Sequence, residues 1–390
     1  MQSHERPIEH IRYSLYKEIN ELYWSVALNN LAVSLVSVFG PLYMFFFFDR
    51  SIPKTALFYF VQFFASMLLT PFITRYTVSW GIKKSMALGT MFCALSYECL
   101  VVVPVYGFPM IVCAGIMGVL YVTIFWPSRH IDFAAFAKSS TCGRQLSTVN
   151  IIISFVKTFA PFIGGLIIYW CGFSILFTIV TILLIISTIP LFYSPEVHEH
   201  YSLSWWESFK VMALPCNRKT SLAFAAEGIE YSLETLLWPL FAITIIQSTR
   251  ALGWLVSFSL FTTVILIYCI GWIADKKGNE RVLSFTSVVH AFSWMMMSFV
   301  VTPLQLLIYT IFGQLAGAAN HLPFMSVWYK RAKAQGHGID EYIVFHEIAH
   351  AIGRCIGYAL MAIGFSVGIT SFPVYFTIAA FSTLFFRLIR

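Results

Sequence analysis

Long apolar runs, unbroken by alternation, govern what this chain can fold into. Two of them, 251–270 and 282–301, flank a short polar connection, and similar runs recur from about residue 22 to the end. Strands of a membrane barrel alternate apolar and polar side chains; these runs do not. Backbone in lipid must satisfy its own hydrogen bonds, so continuous runs read as helices. A soluble domain is nearer half apolar and a quarter charged, whereas this chain is 58% hydrophobic and 11% charged. At about 20 residues per crossing, its 390 residues hold about twelve crossings and no sizeable soluble domain. The expected spans are 22–47, 56–79, 85–105, 108–128, 144–169, 172–193, 219–246, 251–274, 281–301, 303–327, 341–367 and 372–389.

The cations orient these spans. If the N-terminus is cytoplasmic, the inner segments carry 20 of the 25 Lys and Arg residues. Arg129 is among them, just past the fourth span. The outer loops carry only Arg50, Lys54 and Arg250, and Lys157 and Arg354 fall inside spans. Such a split is a positive-inside signal and predicts that both termini are cytoplasmic. The net charge of +7 follows from this placement and does not suggest nucleic acid. The polar first 21 residues carry no apolar stretch of the kind a cleavable signal needs. The eight cysteines are scattered without C-x-x-C, so neither zinc nor a redox pair is indicated. No cofactor is implied.

The longest polar connection is 194–218. Within it Ser204-Trp205-Trp206-Glu207-Ser208-Phe209-Lys210 reads as a short helix lying on the membrane surface. It divides a cytoplasmic segment 1–21 and a six-helix bundle 22–193 from a second bundle, 219–390. The halves repeat at an offset of about 197: Gly278 falls opposite Gly81, and Trp126-Pro127 lies near Leu322-Pro323. Duplicated halves are a transporter architecture.

The connection between the apolar runs reads Gly271-Trp272-Ile273-Ala274-Asp275-Lys276-Lys277-Gly278-Asn279-Glu280-Arg281. It resembles the G-x-x-x-D-R/K-x-G-x-x-R loop of the major facilitator superfamily, with Gly271, Asp275, Lys276, Gly278 and Arg281 on the pattern. Glycines let a helix end turn tightly, and the carboxylate can favour a facing helix N-terminus or pair with an arginine. The resemblance implies a latch between bundles. The first-half copy, 75–84, has Val78 where the acid would stand. Ala160-Pro161-Phe162-Ile163-Gly164-Gly165 is similar to the G-P-x-x-G-G element of the same superfamily, with Ala160 in place of the leading glycine. There Pro161 would kink a helix and Gly164 and Gly165 permit close packing. The resemblance implies an all-α polytopic protein of twelve transmembrane helices, working by alternating access as a monomer in a plasma membrane, here a bacterial inner membrane.

A charge within a span is costly and marks function by default. Lys157 and Arg354 lie 197 residues apart, the repeat offset itself, so each half carries a cation at equivalent depth. They are expected to face a central cavity and attract an anionic group, with a glutamate as counter-charge. Glu227, Glu230 and Glu234 share one helix face at 100° per residue and are candidates for substrate or proton coupling. Glu347 is a further acid of the same kind, Glu98 another acid within a span, and Asn29 and Asn30 are polar candidates in the first span. His290 and His321 read as isolated residues, better suited to interhelical hydrogen bonds than to metal.

His346-Glu347-Ile348-Ala349-His350 matches H-E-x-x-H, two imidazoles at i, i+4 with a glutamate as base. A zinc protease needs a third ligand, and Asp49, Asp132, Asp275 and Asp340 all fall at loops or span ends. The expectation is therefore a secondary transporter of a small molecule, with the proton as a coupling ion, and not an enzyme. The alternatives are an intramembrane zinc metalloprotease and a non-pumping transporter-like scramblase or receptor.

Overall fold

The structure is a computed structural model. It describes residues 24–136, 143–193, 196, 198, 201–277, 279–334 and 338–389, with side chains at 24–134, 156–192, 196, 198, 201–265, 282–334 and 338–389. Those residues form helices and connections, with no strand among them.

α1 (Trp24–Phe47) is followed by α2 (Ile52–Trp80), which starts with Ser51 accepting the Lys54 N–H at 3.4 Å and ends at Gly81. At φ 133° Gly81 takes a turn that a side chain would strain, and α3 (Ile82–Val101) begins at the next residue. A single turn, Val103–Tyr106, and Gly107 lead into α4 (Phe108–Phe136). The helix Gly143–Thr188 breaks at Gly172, φ 82°, into α5 (143–171) and α6 (173–188) with no loop between them. Next comes a short α7 (Trp205–Ala213), then α8 (Arg218–Ile246), which contains a π turn at Leu233–Leu237. α9 (Thr249–Lys277), α10 (Asn279–Met297), α11 (Pro303–Ala334), α12 (Ile339–Ser366) and α13 (Phe372–Leu384) complete the chain.

Among the described residues, six stretches are long and apolar enough to cross a membrane: Trp24–Phe47, Ile52–Trp80, Phe108–Ala134, Val156–Phe192, Arg218–Ile246 and Ile339–Ser366. Thr249–Ile265, Val282–Met297 and Phe372–Leu388 are shorter apolar helices. Outward-facing Val61, Phe72, Ile182, Phe285 and Phe292 are exposed, as suits side chains that meet lipid rather than water. One boundary differs from the sequence reading. α4 continues past Pro127, so Arg129 and His130 lie on the helix and not in a connecting loop; the run Ile131-Asp132-Phe133-Ala134 keeps the helix largely buried beyond the proline.

Backbone-to-backbone packing fixes the arrangement. α3 lies against α4 and against the helix pair α5–α6, and α10 lies against α11 and α13. The broadest contacts between the early helices and the late ones are α2 on α12 and α5 on α9, and α4 also touches α12 and α11. Between α5 and α9, Gly165 lies where a Cβ would come 2.8 Å from the Thr249 carbonyl, and Gly253 abuts the Pro161 carbonyl. The Phe162 N–H, freed near the proline, donates to Ser257 Oγ at 2.8 Å. Gly164 abuts the Leu35 carbonyl on α1. α8 meets α12 as closely: Gly353 abuts the Ala225 carbonyl, Gly228 the His350 carbonyl and Gly357 the Ser232 hydroxyl. Small residues let helices approach in this way, and dispersion then holds them.

The segment before α8 ties several helices together. Glu196 accepts the N–H groups of Lys83 and Lys84 at the start of α3. Ser202 donates its N–H and hydroxyl to Glu341 of α12 at 3.2 and 2.6 Å. The Trp205 indole donates to the Leu68 carbonyl of α2 at 2.8 Å. α7 opens with a reciprocal cap between Ser204 and Glu207. That cap holds the Glu207 carboxyl below its ordinary range, through the Ser204 side chain first and its backbone N–H second.

Candidate functional site

Because α8 and α12 touch at glycines, the side chains on their flanks are brought together. Glu227 Oε2 lies 3.1 Å from His346 Nε2, and His346 Nδ1 lies 3.5 Å from Glu347. Glu347 reaches across to His130 of α4, Oε1 to Nε2 at 3.4 Å. In the other direction Glu227 Oε1 lies 3.9 Å from His321 Nδ1 on α11. His321 Nε2 lies 3.5 Å from Glu230, and Glu230 lies 3.5 Å from His290 Nε2 on α10. The result is one strict alternation across five helices: His130, Glu347, His346, Glu227, His321, Glu230, His290.

Both ends of this chain are anchored. His130 Nδ1 is 2.7 Å from the Tyr329 hydroxyl. At the far end the His290 ring nitrogen is 3.4 Å from Asn320, whose carbonyl accepts from Ser287 at 2.9 Å and Thr286 at 3.3 Å. The Trp294 indole donates to Glu230 at 3.2 Å. The Trp328 ring stacks on His346 at 4.2 Å. Glu230 is 1% exposed, and His321, at 30%, is the most open member. Buried carboxylates of this kind are tolerable because each faces a group able to carry positive charge. Imidazole is the side chain that gains and loses a proton nearest neutrality, so each histidine of the alternation can hold a proton beside a carboxylate.

The other candidate residues fall elsewhere. Glu234 sits in the π turn of α8 and is exposed, and Glu98 is exposed on α3. π turns inside helices recur at functional sites. Asn29 and Asn30 of α1 are buried and line a small pocket with Met86, Thr90, Phe125 and Arg129. Asn30 donates to the Val26 carbonyl at 2.7 Å, while the Asn29 amide nitrogen has no partner among the described residues. Lys157 is exposed. At 100° per residue it lies within about 40° of Pro161, Gly164 and Ile168 on α5, the line that packs inward; Phe159 and Ile163 mark the outward line. On the signature loop, Gly271, Asp275 and Lys276 belong to α9 and Arg281 to α10. Their side chains, and Gly278 altogether, lie outside the described residues.

Two expectations are corrected. Neither Lys157 nor Arg354 forms an ion pair among the described residues; Glu227, Glu230 and Glu347 face histidines instead. Arg354 is held by aromatic rings, its guanidinium carbon 4.2 Å from the Tyr231 centroid and 4.6 Å from that of Phe63. His290 and His321 are not isolated, since both engage Glu230. His130 lies beyond the expected end of the fourth span at 128; Ile131, Phe133 and Ala134, apolar again after the polar Ser128-Arg129-His130, are the signal that keeps it on the helix. The H-E-x-x-H histidines also diverge in use. His346 turns to two glutamates, whereas His350 stacks on His346 at 5.4 Å and leaves Nε2 without a partner. Among the described residues no three His, Cys, Asp or Glu side chains converge as a metal site requires.

No family model and no curated protein matches the sequence. Solved structures do match in shape. A crystal structure of the nucleoside transporter NupG, a point mutant, superposes with TM-score 0.71 over 95% of this chain and 98% of its own, at 14% identity. The human organic anion transporter MFSD10 (TETRAN) superposes with TM-score 0.71 over 96% of this chain and 99% of its own, at 12% identity. This is the major facilitator fold. A major facilitator fold with apolar helices and exposed apolar outer faces is an integral membrane protein. In this fold the imidazole–carboxylate chain draws six of its seven members from α8 and the helices after it, and one, His130, from α4.

Proposed function

We propose that the chain is a secondary active transporter, moving a small molecule by alternating access and coupling that movement to protons. The observation that carries the reading is the unbroken alternation from His130 to His290. Protonating an imidazole in it turns a neutral contact into an ion pair, and protonating a carboxylate undoes one. Because His130 comes from the early helices, opening α4 away from α12 breaks the chain at the Glu347 contact. Proton occupancy and conformation are then linked by differential stability of the two arrangements.

Twelve transmembrane helices form two bundles in this reading, 22–193 and 219–390, joined by 194–218. Both termini are cytoplasmic, in a bacterial inner membrane, as the placement of the cations supports. The substrate carries an anionic group drawn to Arg354 and Lys157, neither of which has an acidic partner within 4 Å among the described residues. Glu234 and the two asparagines are further groups for substrate or proton, and the loop of Gly271, Asp275, Lys276, Gly278 and Arg281 latches the bundles. The protein acts as a monomer, without nucleotide, metal or nucleic acid.

Proteoliposomes with an imposed pH gradient test this. Uptake should follow the gradient, and Glu227→Gln and Glu230→Gln should abolish gradient-driven accumulation while leaving substrate exchange. Solute movement that only equilibrates, whatever the gradient, would make this a non-pumping relative and end the proton-coupled reading.

A further inference from the structure

Arg354 presents an unusual set of contacts. Its guanidinium lies over Tyr231 of α8 and Phe63 of α2, one ring from the late helices and one from the early ones. Tyr358, one turn further along α12, stacks on Phe63 at 5.6 Å with ring planes 12° apart, and on Tyr59 at 5.5 Å and 22°. Tyr358 directs its own hydroxyl to Thr235 at 3.3 Å. The Arg354 Nε–H is buried without an acceptor, and the side chain has no acidic partner within 4 Å among the described residues. Thus two rings lie beside the guanidinium carbon, and its Nε–H meets no acceptor among the described residues.

That combination constrains what completes it. Ring faces attract a cation but accept its N–H groups only weakly. Those groups ask for an acceptor in the plane of the guanidinium, and a carboxylate meets that plane with two parallel hydrogen bonds. A carboxylate docked edge-on continues into its substituent in the same plane, between side chains that are themselves flat. A conjugated substituent keeps that plane and stacks on the walls, whereas a saturated ring or a branched chain stands out of it.

We propose that Arg354, Phe63, Tyr231, Tyr59 and Tyr358 form a binding site for planar, aromatic carboxylates, the two-point grip of Arg354 holding the carboxylate and the rings holding the conjugated part. This rests on the transporter reading above, and on its anionic substrate in particular. Both bundles contribute to the site, so a bound aromatic acid draws α2 toward α8 and α12.

The test uses the purified full-length protein in detergent, titrated with benzoate, cyclohexanecarboxylate, acetate and benzyl alcohol, with affinity read by calorimetry and by thermal unfolding. Benzoate should bind at least about tenfold more tightly than cyclohexanecarboxylate or acetate, and benzyl alcohol should not compete. Arg354→Lys keeps the charge and loses the fork, and should weaken benzoate about tenfold or more. Phe63→Leu keeps the volume near that of the ring and should narrow the gap between benzoate and cyclohexanecarboxylate; the unliganded unfolding temperature of each variant reports whether it folds. If all three carboxylates bind alike through Arg354, the planar site is overturned while the anionic substrate stands. If no carboxylate protects the protein, both fall. If benzoate binding survives Arg354→Lys and Phe63→Leu undiminished in folded protein, the site lies elsewhere and the proposal is wrong.

Discussion

The Glu196 carboxylate sits 2.7 Å from the backbone nitrogen of Lys83 and accepts its N–H. A second bond comes from Lys84 at 3.3 Å, and Gly81, beside it, leaves space that a Cβ would take from the Glu196 side chain. The first-half loop lacks the acid that its second-half counterpart carries at Asp275, and Glu196 brings one to a helix N-terminus from a segment more than a hundred residues later in the chain. Unsatisfied N–H groups and the dipole at a helix start both favour an anion there. Glu196→Ala should cost about 0.5–2 kcal/mol, the range for loss of a helix cap, and lower the unfolding temperature in detergent. Gly81→Ala should cost at least as much, because it adds strain at positive φ to the displaced carboxylate. Unchanged unfolding temperatures for both would show the contact to be idle.

The crossing of α8 and α12 gives a second expectation. A methyl group at Gly353 meets the Ala225 carbonyl, backbone that cannot turn aside. Gly353→Ala should destabilise the protein by about 1–3 kcal/mol and should also spread the imidazole–carboxylate chain, since Glu227 and His346 flank the same crossing. Gly172→Ala strains a positive φ but meets no neighbour, so it should lower stability without touching proton coupling. Thermal unfolding and gradient-driven uptake, measured side by side, separate the two effects.

His130 is the one member of the alternation from the early helices, and its substitution isolates the link. His130→Asn should leave His346, Glu227, His321, Glu230 and His290 in place. Gradient-driven uptake should fall about tenfold, the effect of about 1.4 kcal/mol, with substrate affinity little changed. Tyr329→Phe removes only the hydroxyl 2.7 Å from His130 and should cause a smaller loss in the same direction. Equal losses of uptake and affinity would instead mean that His130 binds substrate.

Acid should release α7. Its cap lowers the Glu207 carboxyl, so the bond contributes above the ordinary carboxylate range and is lost as pH falls through the depressed value. Limited proteolysis or hydrogen exchange of 205–213 should show the helix loosening as pH drops below about 4, and Glu207→Gln should show that looseness with a much weaker pH dependence. A protection pattern that is flat with pH in the unsubstituted protein would refute the cap's role.

What was legible in the sequence was whatever one helix carries by itself. Continuous apolar runs announced membrane helices, and the 227, 230 spacing put two glutamates side by side on α8, while Glu234 falls in the π turn, outside the alternation. Partnerships between distant helices left no such trace. His130 and Tyr329 lie 199 residues apart, and nothing in the spacing of either run points to the other. The counter-charge expected for Arg354 failed for a related reason. A buried cation needs compensation, and the sequence reading looked for acids, but rings supply part of it, and those of Phe63 and Tyr231 are brought to Arg354 only by the packing of α2 and α8 on α12. The histidines were misread because a lone histidine on an apolar helix carries no sign of the carboxylate that another helix will bring.

Gly81 and Gly172, both at positive φ, each join two helices with a single residue. A protease needs several residues of extended chain to seat a substrate, and a one-residue turn at a membrane surface offers none. Digestion of intact vesicles should therefore leave 52–101 and 156–188 as uncut blocks from either side. A tag or fluorophore inserted at one of these glycines would have to pry two helices apart to be seen. Maps of sidedness drawn from cleavage alone would miss those turns and undercount how often this chain crosses the bilayer.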